Sequence, residues 1–77
     1  MPKYNGHKNW NHWNVSLWIG NDEGLYTLAR EHVRRSKNKD IAARRILDAL
    51  TECGQTKTPD GAPYTYSTVR AAITGDF

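Results

Sequence analysis

Few side chains in this sequence are spaced for reaction chemistry. His7 and His12 stand five residues apart, off any shared helical row, and no Ser or Cys adjoins a His in a way that fixes a nucleophile beside a base. Asp22 and Glu23 follow Gly20-Asn21 and read as first-turn acids that complement a helix dipole, not as a catalytic pair. His7, His12, His32 and Cys53 lack the short ligand spacings of a metal centre, and His32 belongs to an apolar stripe as a core-edge residue. The expectation is a chain that is not an enzyme, with no metal and no cofactor.

The residues that do carry a signal are cationic. Formal net charge is 11 − 8 = +3, but from Arg30 to Arg45 seven bases (Arg30, Arg34, Arg35, Lys37, Lys39, Arg44, Arg45) face two acids (Glu31, Asp40), a local 7 − 2 = +5. Arg30, Arg34 and Lys37 lie close to one helical row, where like charges repel by roughly 0.2–0.5 kcal/mol per pair. An anionic partner would relieve that cost. A solvated charged face is the plainer alternative. Trp10, Trp13 and Trp18 are the other compositional feature; in so small a domain they are expected to be mostly core, with Trp10, flanked by polar residues, the member that reaches a partner.

These residues need a scaffold, and the length allows only one. Seventy-seven residues, 38% of them apolar, supply one small core, so residues 1–77 read as a single domain: a polar strap over 1–9, pinned by Tyr4, and a helical body over 10–77. Between Trp10 and Ile19 a helical spacing (Trp10, Trp13, Leu17, Trp18) competes with a strand alternation (Trp13, Val15, Leu17, Ile19), and the helix is preferred. A second helix is expected from Asn21 to near Ser36, with Leu25, Leu28, Ala29, His32 and Val33 along one stripe. A third, capped by Asn38 and stopped by Gly54, turns Ala42, Ala43, Ile46, Leu47, Leu50 and Cys53 inward, with Asp40, Arg44 and Asp48 outside. Thr58-Pro59-Asp60-Gly61 matches a type I turn, Ala62 to Tyr64 continues extended, and Thr65 or Ser67 caps a last short helix carrying Val69, Ala72 and Ile73. The fold class is all-α: a bundle of three to four short helices with a Pro/Gly turn before the last.

The lone Cys53 excludes an internal disulfide framework and fits a reducing compartment. The polar opening, Met1 to Gly6, is not an export signal, and the Val15 to Ile19 stretch is far below the ~20 residues of a membrane span. A soluble protein of the bacterial host cytoplasm is expected, without membrane contact.

Two resemblances add context. The block from Asn11 to Tyr26, with the later Thr58-Pro59-Asp60-Gly61, resembles a family of short uncharacterised proteins carried by bacteriophages and other mobile elements. That likeness implies an accessory gene. Locally, Ile46 to Ile73 is similar to the DNA-binding region of large serine recombinases, and this implies that Ser67, Thr68 and Arg70 would face a duplex. A chain of this size presents one patch more readily than it builds a cleft. The leading expectation is an anti-CRISPR-like inhibitor that binds a host defence protein or nucleoprotein complex through the basic arc and Trp10. The alternative is a small helix-turn-helix-like DNA-binding protein or regulator, in which case nucleic acid is the direct partner. The oligomeric state is left open.

Overall fold

The computed structural model describes residues 8–74, so the strap and its Tyr4 pin lie outside the described residues except for Lys8 and Asn9. Four helices follow in order: α1 (Trp10–Asn21), α2 (Glu23–Arg35), α3 (Lys39–Glu52) and α4 (Tyr66–Ala72). Each helix packs on two others, α1 on α2 and α4, α3 on α2 and α4, while the diagonal pairs stay apart. The ring encloses Val15 and Ile19 of α1, Ala29 of α2, Ala42, Ala43, Ile46 and Leu50 of α3, Val69 of α4 and Ile73 just after it. The all-α expectation holds.

Helix boundaries follow from local chemistry. Asn9 caps α1 by accepting from the His12 amide at 3.0 Å. Asp22 is the joint between α1 and α2: its amide donates to the Trp18 carbonyl at 2.9 Å, while its carboxylate accepts from the Leu25 amide at 3.0 Å. One extended residue thus ends one helix and starts the next. This corrects the expected start at Asn21, which remains helical and turns its side-chain amide back to the Leu17 carbonyl at 2.8 Å. Asn38 caps α3 as expected, accepting from the Ile41 amide at 2.9 Å.

α3 ends in a Schellman arrangement. Gly54 takes φ +76, its amide reaches the Thr51 carbonyl, and the Gln55 amide reaches the Leu50 carbonyl. Cys53, expected inward, is exposed, because the helix has already ended at Glu52 and the chain is turning away from the core.

Residues 56–64 form a small hairpin. The Gly61 amide closes the expected turn on the Thr58 carbonyl at 2.9 Å, and Gly61 at φ +97 then lets the Thr58 amide reach the Ala62 carbonyl at 2.8 Å. This is a type I turn followed by a glycine bulge. The Tyr64 amide bonds the Thr56 carbonyl and Lys57 pairs with Pro63 in an isolated antiparallel bridge, so Ala62 to Tyr64 runs back along the incoming segment. Thr65, not Ser67, caps α4 in a reciprocal box with Thr68.

Trp10 is the exposed tryptophan, as expected, but the other two are not core residues. α1 buries Asn14, Val15 and Ile19, while Trp13 and Trp18 are half-buried and Trp10 is 38% exposed. They rim the core and do not fill it. The reason is visible at Trp18, whose indole N–H needs an acceptor and finds it on a surface carboxylate, that of Asp60, at 2.9 Å.

Candidate binding surface

The neighbouring helices α2 and α3, joined by only Ser36, Lys37 and Asn38, carry the cationic arc on their exposed faces. Arg30, Arg34, Arg35, Lys37, Arg44 and Arg45 are exposed, and Lys39 is half-buried. Glu31 serves both Arg35, at 3.1 Å, and Arg34, at 3.9 Å. Asp40, the other acid of the segment, is committed elsewhere: it accepts from Arg70 Nε of α4 at 2.7 Å. Among the described residues Arg30, Lys37, Arg44 and Arg45 make no ion pair.

Two of these arginines are held by tyrosines. The Arg30 guanidinium lies 6.0 Å from the Tyr26 ring centre and donates to the Tyr26 hydroxyl at 3.0 Å. Arg44 lies 5.8 Å from the ring centre of Tyr66. A guanidinium resting on a ring keeps its N–H edge available for an acceptor. The Tyr26–Arg30 pair was legible as an i, i+4 spacing, whereas Tyr66 and Arg44 are brought together only by the packing of α4 on α3.

The α4 residues assigned to a duplex are used by the protein itself. Thr68 is buried at 3% exposure; its hydroxyl accepts from the Thr65 amide at 2.8 Å and donates toward the Pro63 or Thr65 carbonyl, both at 3.1 Å. It has no surface to offer, which corrects the expectation that it faces DNA: a reciprocal capping box consumes the side chain. Ser67 is exposed but shares a 3.0 Å hydrogen bond with His12 Nε2 of α1. Arg70 is half-buried against Asp40 and also donates to Thr74 Oγ1 at 3.1 Å. Asp40 is held below the usual carboxylate range, first by the hydrogen bond from Arg70 and then by that from Tyr66, while Arg70 is raised by the same Asp40 contact.

The His12–Ser67 distance suits a base beside a nucleophile, a pairing the sequence order did not reveal. The bond joins α1 to α4 as a clip between the two helices. Among the described residues no three His, Cys, Asp or Glu side chains gather as a ligand set, and His7 lies outside them. No described helix is long and apolar enough to cross a membrane.

A partly buried polar seam, unforeseen in the sequence, joins α1 to the hairpin. Asn14, 1% exposed, accepts from Thr58 Oγ1 at 2.6 Å and donates to Asp60 Oδ2 at 2.9 Å, and the same Asp60 oxygen takes the Trp18 N–H. Thr58 Oγ1 in turn accepts from the Ala62 amide at 3.0 Å. Hydrogen bonds from Asn14 and then Trp18 hold the Asp60 carboxyl below its ordinary range. The tryptophan-rich block and the Thr-Pro-Asp-Gly turn, distant in sequence, are thus two halves of one structural joint.

Two hollows of the described surface border these residues. The larger, about 550 Å³, is an apolar trough lined by Trp18, Leu25, Leu28, Leu50, Pro59 and Tyr64 among others. Burial, and secondarily the charge of Asp22, raises the Tyr64 hydroxyl above its usual range. The smaller, about 300 Å³, lies on α3 beside the start of α4 and is lined by Asp40, Ile41, Arg44, Arg45, Asp48 and Tyr66.

No curated protein and no solved structure matches the chain. A family model does, over residues 1–75, a span that contains every helix, the hairpin and both halves of the Asn14–Asp60 joint, and on that match the chain belongs to the family of unknown function DUF7249.

Proposed function

We propose that this chain acts by stoichiometric contact and not by catalysis, as an accessory protein of a bacteriophage or other mobile element that occupies a host defence nucleoprotein complex in the cytoplasm, in the manner of an anti-CRISPR inhibitor. The observation that carries the contact reading is the state of the α2–α3 outer face: Arg30, Lys37, Arg44 and Arg45 have no carboxylate partner among the described residues, and two of the four are stacked on tyrosines. Tyr and Arg are the residues that most often dominate binding at protein interfaces. The resemblance of the Asn11 to Tyr26 block to mobile-element proteins supplies the biological setting. The net charge of +3 argues against an acidic mimic of DNA.

Direct duplex binding through α4 is poorly served, because Thr68 is buried, Ser67 meets His12 and Arg70 is tied to Asp40. Expression in a CRISPR-immune host should raise plaque formation by a targeted phage, and the tagged chain should recover a multisubunit defence complex. Charge reversal of Arg44 with Arg45 should abolish both. No gain in plaques with no complex recovered retires the inhibitor reading. A steep fall of duplex affinity with salt, weakened by Arg70→Ala, would replace it with the DNA-binding alternative.

A further inference from the structure

We propose that the hollow between the outer face of α3 and the start of α4 is a docking site for an acidic segment of a partner protein, one that sets carboxylates beside an apolar side chain. The inference rests on the contact reading above and names the chemistry of the partner.

The site combines two kinds of contact. Ile41 and Tyr66 are 37% and 40% exposed, two of the large apolar side chains that the described surface leaves in solvent, and both line the hollow. Arg44 and Arg45 line it as well and make no ion pair among the described residues. Tyr66 is fixed from two directions: its hydroxyl donates to Asp40 Oδ1 at 3.2 Å and its ring lies under the Arg44 guanidinium. Asp40 is itself fixed by Arg70 at 2.7 Å. An anchor already held in place loses less side-chain entropy on binding, and a stacked guanidinium retains the edge that grips a carboxylate bidentately.

The arrangement favours protein over nucleic acid. Asp40, Arg44 and Asp48 follow one another at four-residue steps along α3, so an acid stands about 6 Å from Arg44 on either side along the helix. The lining thus holds two cations, Arg44 and Arg45, and two acids, of which Asp40 is already taken by Arg70. A phosphate chain running along this face would meet a carboxylate at each next step, whereas single carboxylates, spaced by apolar side chains, can meet the arginines and avoid the acids. The exposed Ile41 suits an aliphatic partner and gives a phosphate backbone nothing.

The test uses the isotope-labelled full chain and three probes: a short blocked peptide alternating glutamate and leucine, a polyglutamate of the same length, and an oligothymidylate of matched charge. The alternating peptide should move the NMR resonances of Ile41 to Asp48 and of Tyr66, and bind about tenfold tighter than either other probe. Arg44→Glu and Tyr66→Ala should each weaken the peptide by about tenfold, and Tyr66→Phe, which keeps the ring, should not. Circular dichroism of each variant checks that the helices persist. Equal binding of polyglutamate would reduce the site to unspecific charge and overturn the proposal, as would tighter binding of the oligothymidylate, which would make the face a nucleic-acid surface, or no shift with any probe. These outcomes do not depend on a host. A chain that binds the peptide but gives no plaques sinks only the inhibitor reading, and one that gives plaques but ignores the peptide sinks only this one.

Discussion

The joint between α1 and the hairpin and the outer face of α2–α3 are both rich in polar side chains, yet they are built in opposite ways. In the joint Asn14, Thr58, Asp60 and Trp18 use one another: the buried amide of Asn14 is met on both its oxygen and its nitrogen, and the Thr58 hydroxyl both donates and accepts. On the outer face the supply of partners runs short, since Glu31 is divided between two arginines and Asp40 is taken by α4. A satisfied, partly buried network is how a small core fixes a single geometry. Exposed cations without counterions add little to stability and remain available to a partner. The lesson is that the segments most distinctive in sequence, the tryptophan block and the Thr-Pro-Asp-Gly turn, are tied into the scaffold, and the plainer cationic helices keep their charges at the surface.

That contrast can be broken experimentally. The largest effect should come from Asn14→Ala, which strips Thr58 and Asp60 of their shared partner inside a packed region and should cost about 3 kcal/mol of unfolding free energy. A urea titration that finds the loss below about 0.5 kcal/mol would mean that the joint holds nothing. Gly61→Ala should come next, at about 1–2 kcal/mol, because φ +97 strains any residue with a Cβ while the space around Gly61 is open. Recovery of parental stability by Ala would contradict the bulge geometry.

The third effect is in pH dependence. The Asp60 carboxyl is lowered in the folded chain, so as pH falls the unfolded chain takes up the proton first. The contribution of Asp60 is whole above the ordinary carboxylate pKa and is lost as pH drops below about 4, through the folded value. Asp60→Asn should therefore flatten the acid limb of the stability curve, and Asp40→Asn should do so through the loss of Arg70 and Tyr66. Acid limbs that superimpose on the parent's would show the carboxylates to be idle. Smallest of all, Arg35→Ala or Arg45→Ala should shift stability by no more than about 0.5 kcal/mol, since both side chains are exposed. A loss above 1 kcal/mol, to take a rough threshold from the range for surface pairs, would make the outer face part of the scaffold and end the contrast.

Much of the scaffold is written locally. Asn38 before α3, Gly54 after it and Pro59 with Gly61 in the turn act through their own backbone preferences and could be read without neighbours. The one-residue shift from Asn21 to Asp22 shows the limit, because either side chain can cap and only the geometry of the chain into α2 selects. The candidate surface was half legible: the cations stand in sequence, but not which of them keep a carboxylate. Arg70 and Asp40 lie thirty residues apart, and no spacing rule links them.

From the sequence alone came the helical segments, the Asn38 cap and the Gly54 stop of the third, and a concentration of positive charge on the second and third, because propensity, capping and charge are properties of near neighbours. Only the tertiary structure decided that the tryptophans rim the core, that Cys53 falls outside it and that Thr68 is consumed by a cap. It also decided that Tyr66 stands beside Arg44. Such outcomes depend on contacts between residues far apart in the chain, which form when the helices close around one shared core.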